Sequence, residues 1–204
     1  MSLKTDFPDG LARCGWLDGS ADYTAYHDLE WGRPVADDRA LFEQLSLEGF
    51  QSGLSWRTIL NKREAFRRGF SGFDPARVAR YGEKEIQVLL ADAGIVRHRG
   101  KIEAVINNAG RALEMIEREG SLAAFLWRYE APRKAPSNRG ASVSEQSQAL
   151  SKALKKLGWK FVGPTTVYAF MQSVGMVNDH DPGCHCHAAS ERARREFARP
   201  GQTG

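Results

Sequence analysis

Several features of membrane and secreted proteins are missing from this sequence. No run approaches the roughly 18 apolar residues of a membrane-spanning helix, and the opening Met-Ser-Leu-Lys-Thr-Asp lacks the apolar core of a secretory signal. Clear alternation of apolar and polar residues is also absent, which argues against an extensive β-sheet. With 42% hydrophobic and 26% charged residues, the chain is predicted to be a cytoplasmic, all-α globular protein without membrane contact.

Cysteine is scarce. The three cysteines are Cys14, Cys184 and Cys186, and an odd number without a secretory signal argues against a disulfide framework. Three of the five histidines lie within a few residues of the two C-terminal cysteines. This clustering points to metal binding rather than to redox chemistry.

The chain carries only a small excess of positive over negative charge. Lysine and arginine total 29 against 25 acidic residues, which gives a formal net charge of +4. Such a balance favours a polyanionic partner only weakly, because many basic proteins bind no nucleic acid.

Apolar residues recur at helical spacing through most of the chain. Leu41, Phe42 and Leu45 form one such stripe, and Asp37 or Asp38 can serve as its N-cap. Gly163-Pro164 suits the start of a later helix, since proline is favoured at the first helical position. The pattern predicts helices from about Asp38 onward and over residues 84–92, 101–118, 121–129, 145–157 and 164–174.

One helical domain is expected over residues 12–188. Within it, residues 131–144 are rich in proline, serine, arginine and glycine, which predicts an exposed loop. The flanking residues 1–11 and 189–204 are expected to be flexible ends.

A basic, glycine-containing turn is predicted between two helices, near residues 90–102. Gly94 is expected to supply a left-handed turn, and Gly100 to permit a close backbone approach. The free N–H groups at the start of the next helix, near Lys101, would suit a phosphate. The pattern resembles a helix-hairpin-helix that grips a DNA backbone, and a plain αα-hairpin with solvated charges is the alternative. The basic residues of this turn are Arg97, His98, Arg99 and Lys101.

Cysteine and histidine occur near both ends of the chain. Cys14 and His27 near the N-terminus, with His180 and Cys184 near the C-terminus, have the composition of a closed structural zinc site. A metal joining these segments, 14–27 and 180–184, would close a very long loop. Alternatively, Cys14 and His27 are ordinary core residues. Spacing also leaves three rival ligands open, namely His185, Cys186 and His187.

A carboxylate falls on the apolar stripe of the helix that begins near Asp38. Glu48 follows Leu41 and Leu45 at helical spacing, where an unpaired charge is costly. Together with nearby aromatic residues it could form a pocket for a flat, electron-poor or cationic ring. The alternative is a carboxylate paired at a rim, with the aromatic side chains in the core. The nearby aromatic residues are Trp16, Tyr23, Tyr26, Trp31 and Trp56.

Eight sequence blocks, in unbroken order over residues 12–186, resemble the DNA-3-methyladenine glycosylase I family of the helix-hairpin-helix glycosylase superfamily. The blocks are Cys14-Gly15-Trp16, Tyr26-His27-Asp28-x-Glu30-Trp31-Gly32-x-Pro34, Leu41-Phe42-Glu43, Leu47-Glu48-Gly49-x-Gln51-x-Gly53-Leu54-Ser55-Trp56, Gly94-Ile95-x-Arg97-His98-Arg99-x-Lys101-Ile102, Leu150-Ser151-Lys152-Ala153-Leu154-Lys155-Lys156, Lys160-Phe161-Val162-Gly163 and Val177-Asn178-Asp179-His180-x3-Cys184.

The resemblance implies roles for the residues singled out above. Glu48 matches the carboxylate that contacts the damaged base and is the expected catalytic residue, and Tyr26 and Trp56 match the aromatic walls. Trp16 and Trp31 match neighbouring aromatic positions. One structural zinc ion per chain is implied, bound by Cys14, His27, His180 and Cys184. The family usually has a polar residue where this chain has Phe50, which would alter the rim of the pocket.

The implied activity is base excision repair of alkylated double-stranded DNA. A bacterial-type, monomeric enzyme would flip out 3-methyladenine and hydrolyse its glycosidic bond, leaving an abasic site. Residues 101–111 offer Glu103 but no aspartate to assist water, and no lysine nucleophile is marked, so a monofunctional enzyme is inferred. A zinc-stabilised DNA-binding module without catalysis, and a glycosylase for another lesion, are the alternatives.

Overall fold

The computed structural model describes residues 3–132 and 140–201. The described residues are mostly helical, as predicted, and one short antiparallel strand pair is added, in which Leu3 pairs with Cys14. The strands are β1 (Leu3–Lys4) and β2 (Arg13–Cys14), and the helices are α1 (Ala21–Leu29), α2 (Asp38–Gln51), α3 (Trp56–Gly69), α4 (Pro75–Val78), α5 (Glu83–Ala91), α6 (Arg99–Glu119), α7 (Leu122–Leu126), α8 (Glu145–Lys156), α9 (Pro164–Ser173) and α10 (His187–Glu196), with 3-10 turns at Ser71–Phe73 and Trp127–Tyr129.

Helix α2 lies at the centre of the molecule and packs against α3, α6, α7 and α9. Its predicted stripe of Leu41, Phe42 and Leu45 is buried in the main core. Asp37 is the N-cap, since its Oδ1 accepts a hydrogen bond of 2.8 Å from the backbone N–H of Ala40. α2 therefore runs from an exposed cap into the interior and brings its last turn, with Glu48, to a buried position.

The hairpin between α5 and α6 forms where the sequence predicts it, but Gly94 plays a different part. This residue does not have the expected left-handed backbone, since it is not among the described residues with positive φ. A Cβ at this position would lie only 2.8 Å from the Cβ of Ala65. Gly94 is therefore required for the close approach of the hairpin to α3, and Ile95 beside it is buried in the core, as expected.

The N-terminal residues, expected to be flexible over 1–11, include a strand. β1 pairs with β2, and the Lys4 ammonium donates a 2.5 Å hydrogen bond to the carbonyl of Leu17. The guanidinium of Arg13 is buried and binds the carboxylates of Asp9 and Asp28, each at 2.7 Å. Ion pairs and backbone pairing order this segment, although its sequence contains few apolar residues.

The C-terminal residues, expected to be flexible over 189–204, form most of α10. Arg194 is buried and donates a hydrogen bond of 3.1 Å to the carbonyl of Met176. Arg199 binds the carboxylate of Glu130 at 2.6 Å. The expectation of a flexible end is corrected for residues 189–201, because Arg194 and Arg199 anchor them to the body. Across residues 3–132 and 140–201, no helix is long and apolar enough to cross a membrane.

Candidate functional site

A cavity of about 390 Å³ lies beside the last turn of α2, and it brings together the aromatic residues singled out from the sequence. The rings of Tyr26 and Trp56 form one wall, with centroids 5.4 Å apart. Residues 133–139 of the expected exposed loop lie outside the described part of the chain. The lining consists of Cys14, Trp16, Tyr23, Tyr26, Trp31, Glu48, Gln51, Trp56, Gly140, Ala141, Ser142, Ala169, Gln172, Asp179 and Asp181.

Trp16 joins the aromatic wall to the cysteine and histidine residues behind it. Its ring lies 5.1 Å from that of Tyr23, 5.2 Å from that of Trp31 and 5.3 Å from that of His27. The rings of Trp31 and His180 are 4.5 Å apart. The candidate metal ligands therefore support the wall of the cavity from behind.

Glu48 is buried, at 4% exposure, and only one of its oxygens is hydrogen-bonded. Gln44, one helical turn earlier, donates a 2.8 Å hydrogen bond to Oε1. Oε2 has no hydrogen-bond partner within residues 3–132 and 140–201. Burial raises the pKa of Glu48 to about 8, against the opposing influence of the neighbouring Gln44 and Ser173 side chains. The neutral acid therefore predominates at pH 7 in the empty cavity, whereas the sequence interpretation assumed an ionised carboxylate.

A second unsatisfied group faces the same region. The indole Nε1 of Trp56 is buried and has no acceptor among the described residues. Buried polar groups without partners cost free energy, which a ligand with complementary polar edges would recover. The cavity thus offers flat aromatic faces together with two unpartnered polar groups, one of them the carboxyl of Glu48.

Phe50 is not part of the pocket rim. It is fully buried, and its ring packs 4.5 Å from that of Phe66 and 5.9 Å from that of Phe70. On α2, Phe50 points to the core, while Gln51 lines the cavity. The doubt that Phe50 raised about the pocket is therefore removed, and so is the single sequence feature that favoured another lesion.

Sequence reasoning assigned no role to two other polar residues of the cavity wall, Gln172 and Asp179. The hydroxyl of Tyr168 and the amide of Gln172 both donate to Oδ2 of Asp179, at 2.6 and 2.7 Å. Oδ1 of Asp179 is buried without a partner in the described residues. The sequence could have pointed to Asp179, because it directly precedes the predicted ligand His180. Nothing in the sequence pointed to Gln172.

Three of the four predicted metal ligands lie close together. One donor atom each from Cys14, His27 and Cys184 lie within 4.8 Å of one another. Nε2 of His27 is 3.5 Å from the sulfur of Cys184, while Nδ1 of His27 is 2.7 Å from the carboxylate of Asp28. A carboxylate on the far nitrogen is the usual way to orient a metal-binding histidine.

His180, the fourth predicted ligand, has a free nitrogen beside this group. Its Nδ1 is 2.9 Å from Oδ1 of Asn178, and its ring centroid is 5.0 Å from that of His27. Nε2 of His180 is buried and has no partner among the residues described. Burial lowers the pKa of His180 to about 4, so the imidazole is neutral, as a metal ligand must be.

The rival ligands form a second group around Asp28. Atoms of His27, Asp28, His185 and Cys186 also lie within 4.8 Å of one another. However, Arg13 already neutralises the carboxylate of Asp28 at 2.7 Å, and the positive charge opposes a cation there. The group of Cys14, His27 and Cys184, with the unpartnered nitrogen of His180 beside it, is the better set of donors.

The hairpin residues differ from their predicted roles. Lys101 is buried, and its ammonium donates hydrogen bonds to the carbonyls of Phe50, at 2.9 Å, and Ser52, at 2.6 Å. It therefore binds the C-terminal end of α2 instead of extending freely into solvent, as the predicted phosphate contact assumed. Burial lowers the pKa of Lys101.

Other hairpin residues surround the first turn of α6. Arg99 is paired with the carboxylates of Glu83 at 2.6 Å and Glu103 at 3.2 Å. Glu103 is exposed and does not line the cavity. His98 is the N-cap of α6, where its Nδ1 accepts from the N–H of Lys101. Arg97 is exposed. A Cβ at Gly100 would meet only the His98 ring, at 3.3 Å, so no second backbone segment approaches it.

The fold and cavity define a class of protein, namely a helical body with an aromatic cavity beside a buried carboxylate, which suits a flat ring. Comparison with known proteins identifies the family within this class. The family model for methyladenine glycosylase matches residues 16–187, and the chain belongs to this family.

Individual relatives match nearly over their full lengths. DNA-3-methyladenine glycosylase 1 of Escherichia coli (strain K12) is 46% identical over 187 residues, which are 89% of this chain and 100% of the relative. A crystal structure of a 3-methyladenine DNA glycosylase I aligns with a TM-score of 0.79 and 48% identity, covering 86% of this chain and 99% of the other. A variant of such an enzyme in complex with 3-methyladenine aligns with a TM-score of 0.80 and 36% identity, covering 86% and 97%.

Proposed function

We propose that this protein excises 3-methyladenine from alkylated double-stranded DNA as a monomeric, monofunctional glycosylase. The observation that carries the proposal is the buried carboxylate of Glu48, which has one unpartnered oxygen in an aromatic cavity. Relatives named as 3-methyladenine glycosylases, one of them in complex with that base, support the choice of lesion.

Recognition would depend on the charge of the damaged base. Alkylation at N3 makes the adenine cationic, whereas normal purines are neutral. A cation beside Glu48 favours the ionised carboxylate, which would release its proton as the base enters. The rings of Tyr26 and Trp56 would stack on the base and attract its charge. A neutral purine provides no such compensation for ionising Glu48, so selectivity follows.

Extrusion of the nucleotide is required before the base can enter the cavity. Unstacking costs a few kcal/mol, which would be recovered when the base stacks on the aromatic wall and its polar edge binds Glu48. In the chemical step, water adds to C1′ and its proton passes to solvent, while the electron pair of the glycosidic bond neutralises the departing base. The described lining contains no lysine, which agrees with hydrolysis rather than with a covalent enzyme–sugar adduct.

Zinc would serve as a structural ion behind the aromatic wall. Cys14, His27, His180 and Cys184 would bind it, and the unpartnered Nε2 of His180 supports this set. Four protein ligands fill a tetrahedral site, so the ion would supply cohesion between the two ends of the chain and would activate no water.

The hairpin would hold the DNA backbone through the start of α6. His98 and Arg97 are its exposed polar residues, and the N–H groups of the first turn of α6 that His98 does not bind would suit a phosphate. Arg99 and Lys101 are bound to protein groups, so they contribute less than the sequence suggests.

The direct test is to incubate the protein with methylated duplex DNA and to identify the released bases by chromatography. Release of 3-methyladenine, with an intact strand that breaks only on alkaline treatment, is the expected result. Strand cleavage without that treatment would contradict monofunctional hydrolysis. Absence of any free 3-methyladenine would refute the proposed function.

A further inference from the structure

Phe161, in the turn between α8 and α9, combines two unfavourable features. Its φ is 55°, in the left-handed region that non-glycine residues rarely adopt, and its side chain is 41% exposed. The backbone angle costs free energy, and the exposed part of the ring recovers none of it by burial. The stability of the fold therefore does not explain why phenylalanine occupies this position. Strained residues that persist in folded proteins are concentrated at functional sites.

Two asparagines of α6 hold this turn in place. The side chain of Asn108 accepts from the N–H of Lys160 and donates to its carbonyl, both at 2.9 Å. The side chain of Asn107 donates to the carbonyl of Gly158, also at 2.9 Å. The backbone that presents Phe161 is therefore fixed on the same helix that begins at the hairpin.

The position of Phe161 connects the hairpin to the pocket helix. Its ring lies 6.4 Å from the ring of His98, the N-cap of α6. On the other side, a Cβ at Gly49 would lie 3.5 Å from the Cβ of Phe161. Gly49 directly follows Glu48, so Phe161 contacts both the start of α6 and the helix that carries the pocket carboxylate.

Positive charge without acidic partners accompanies the ring. Lys155, Lys156 and Lys160 are exposed, and none has an ion pair with the acidic residues described. Arg99 of the hairpin, by contrast, is bound to Glu83 and Glu103. Exposed cationic charge is therefore supplied by the end of α8 and the turn after it, in addition to Arg97 of the hairpin.

We propose that the α8–α9 turn is a second DNA contact, in which the Phe161 ring stacks against a base next to the extruded nucleotide. Lys156 and Lys160 would bind the flanking phosphates. An aromatic ring suits the space beside a flipped nucleotide, because any base offers it a stacking face. This inference rests on the proposed glycosylase function, and duplex DNA is its occupant.

The test compares Phe161→Ala and Phe161→Gly with Phe161→Trp and with the control Leu113→Ala. Leu113 is another exposed apolar residue, at 36% exposure, far along α6. We expect both small variants to lose about tenfold in kcat/KM on alkylated duplex, while Phe161→Trp and Leu113→Ala keep wild-type values. Fluorescence of 2-aminopurine placed beside the lesion reports the unstacked state directly, and both small variants should diminish it.

Binding of free 3-methyladenine separates this contact from the pocket. Its affinity should be unchanged in every Phe161 variant, and the melting temperature of Phe161→Gly should not fall, because glycine relieves the strained backbone. Wild-type activity of Phe161→Ala and Phe161→Gly on duplex would overturn the inference while leaving the proposed function standing. If the wild-type protein itself releases no base, the proposed function fails first.

Salt dependence tests the lysines. Lys156→Ala and Lys160→Ala should each reduce the slope of log affinity against log salt by about 1. Arg195→Ala, which removes one exposed positive charge from α10, should leave the slope unchanged. Equal slopes in all three variants would contradict the phosphate contacts.

Discussion

Two buried charged side chains lie on neighbouring helices, and their surroundings differ. Lys101 of α6 donates to two backbone carbonyls at the end of α2. Glu48 of α2 has one donor, Gln44, and a second oxygen without a partner in the described residues. Burial is similar for the two side chains, so burial alone does not mark a functional residue. What distinguishes Glu48 is an unsatisfied atom in the wall of a cavity, where a ligand that binds it would recover the cost.

The same contrast separates the hairpin from the cavity as regions. No side chain of residues 94–101, all of them described, has a buried polar atom without a partner. The cavity and the metal group behind it contain four such atoms, on Glu48, Trp56, Asp179 and His180. The buried polar side-chain atoms of the hairpin are all hydrogen-bonded within the protein, whereas those of the cavity could bind a ligand.

The largest effect should come from the metal group. His180→Ala removes the unpartnered nitrogen, and we expect less than one zinc per chain and a loss of about 4 kcal/mol, or roughly 8–16 °C in melting temperature. His185→Ala is the matched control, because His185 belongs to the rival group beside Arg13. Elemental analysis and thermal unfolding provide the readouts. If His185→Ala lost more zinc and more thermal stability than His180→Ala, the metal would be assigned to the rival group.

The next effect concerns Glu48. Glu48→Gln removes the charge that compensates the cationic base, and we expect kcat/KM on alkylated DNA to fall about 100-fold. Glu103→Gln, the acid marked after the hairpin, should retain activity because Glu103 is outside the cavity.

The pH profile sharpens this prediction. Only ionised Glu48 attracts the cation, so wild-type kcat/KM should rise with pH toward a plateau above about 8. The profile of Glu48→Gln should be flat over the same range. A wild-type profile that is flat between pH 6 and 8 would count against the assignment.

Substitution of Lys101 should have a smaller effect on the free energy of unfolding and no effect on phosphate binding. Lys101→Met leaves the carbonyls of Phe50 and Ser52 without their donor, at a cost of about 2 kcal/mol in free energy of unfolding. Its salt slope for DNA should equal that of the wild type. Arg97→Ala should behave in the opposite way, with a reduced slope and an unchanged melting temperature. A reduced slope in Lys101→Met would restore its predicted phosphate role.

The smallest effects concern the two hairpin glycines. Gly94→Ala places a Cβ 2.8 Å from that of Ala65 and should cost about 1–2 kcal/mol. Gly100→Ala lies within α6, meets only a movable imidazole, and should be neutral or stabilising by about 0.5 kcal/mol. Denaturant unfolding measures both. Equal costs would mean that the hairpin approaches α3 less closely.

Much of the site follows from the sequence because its residues lie on regular elements. Helical spacing predicted that Glu48 would share the buried stripe of Leu41 and Leu45, and Gly158, with its φ of 82°, ends α8 as its residue type suggests. Aromatic and metal-binding residues were identified by type and by resemblance. Their assembly in one place is a property of the fold that no local pattern contains.

The failures have a common physical cause. Lys101 and Arg99 were predicted to contact a DNA backbone and Arg194 to lie in a flexible end, yet each binds acceptors distant along the chain. Residue type shows that a side chain is cationic but not whether protein groups already bind it. The glycine at position 94 indicated a structural constraint, but residue type alone could not show whether that constraint was a left-handed backbone or close packing against α3.

The central claim is that Glu48 is a neutral acid in the empty cavity and ionises when a cationic base arrives. Carbon-13 NMR of the glutamate carboxyls, with Glu48→Gln to assign the signal, measures this directly. We predict a pKa near 8 in the free protein and a marked fall when a permanently cationic methylated adenine is bound. A pKa near the ordinary value of 4.5 in the free protein, or one that does not respond to the cation, would contradict the account.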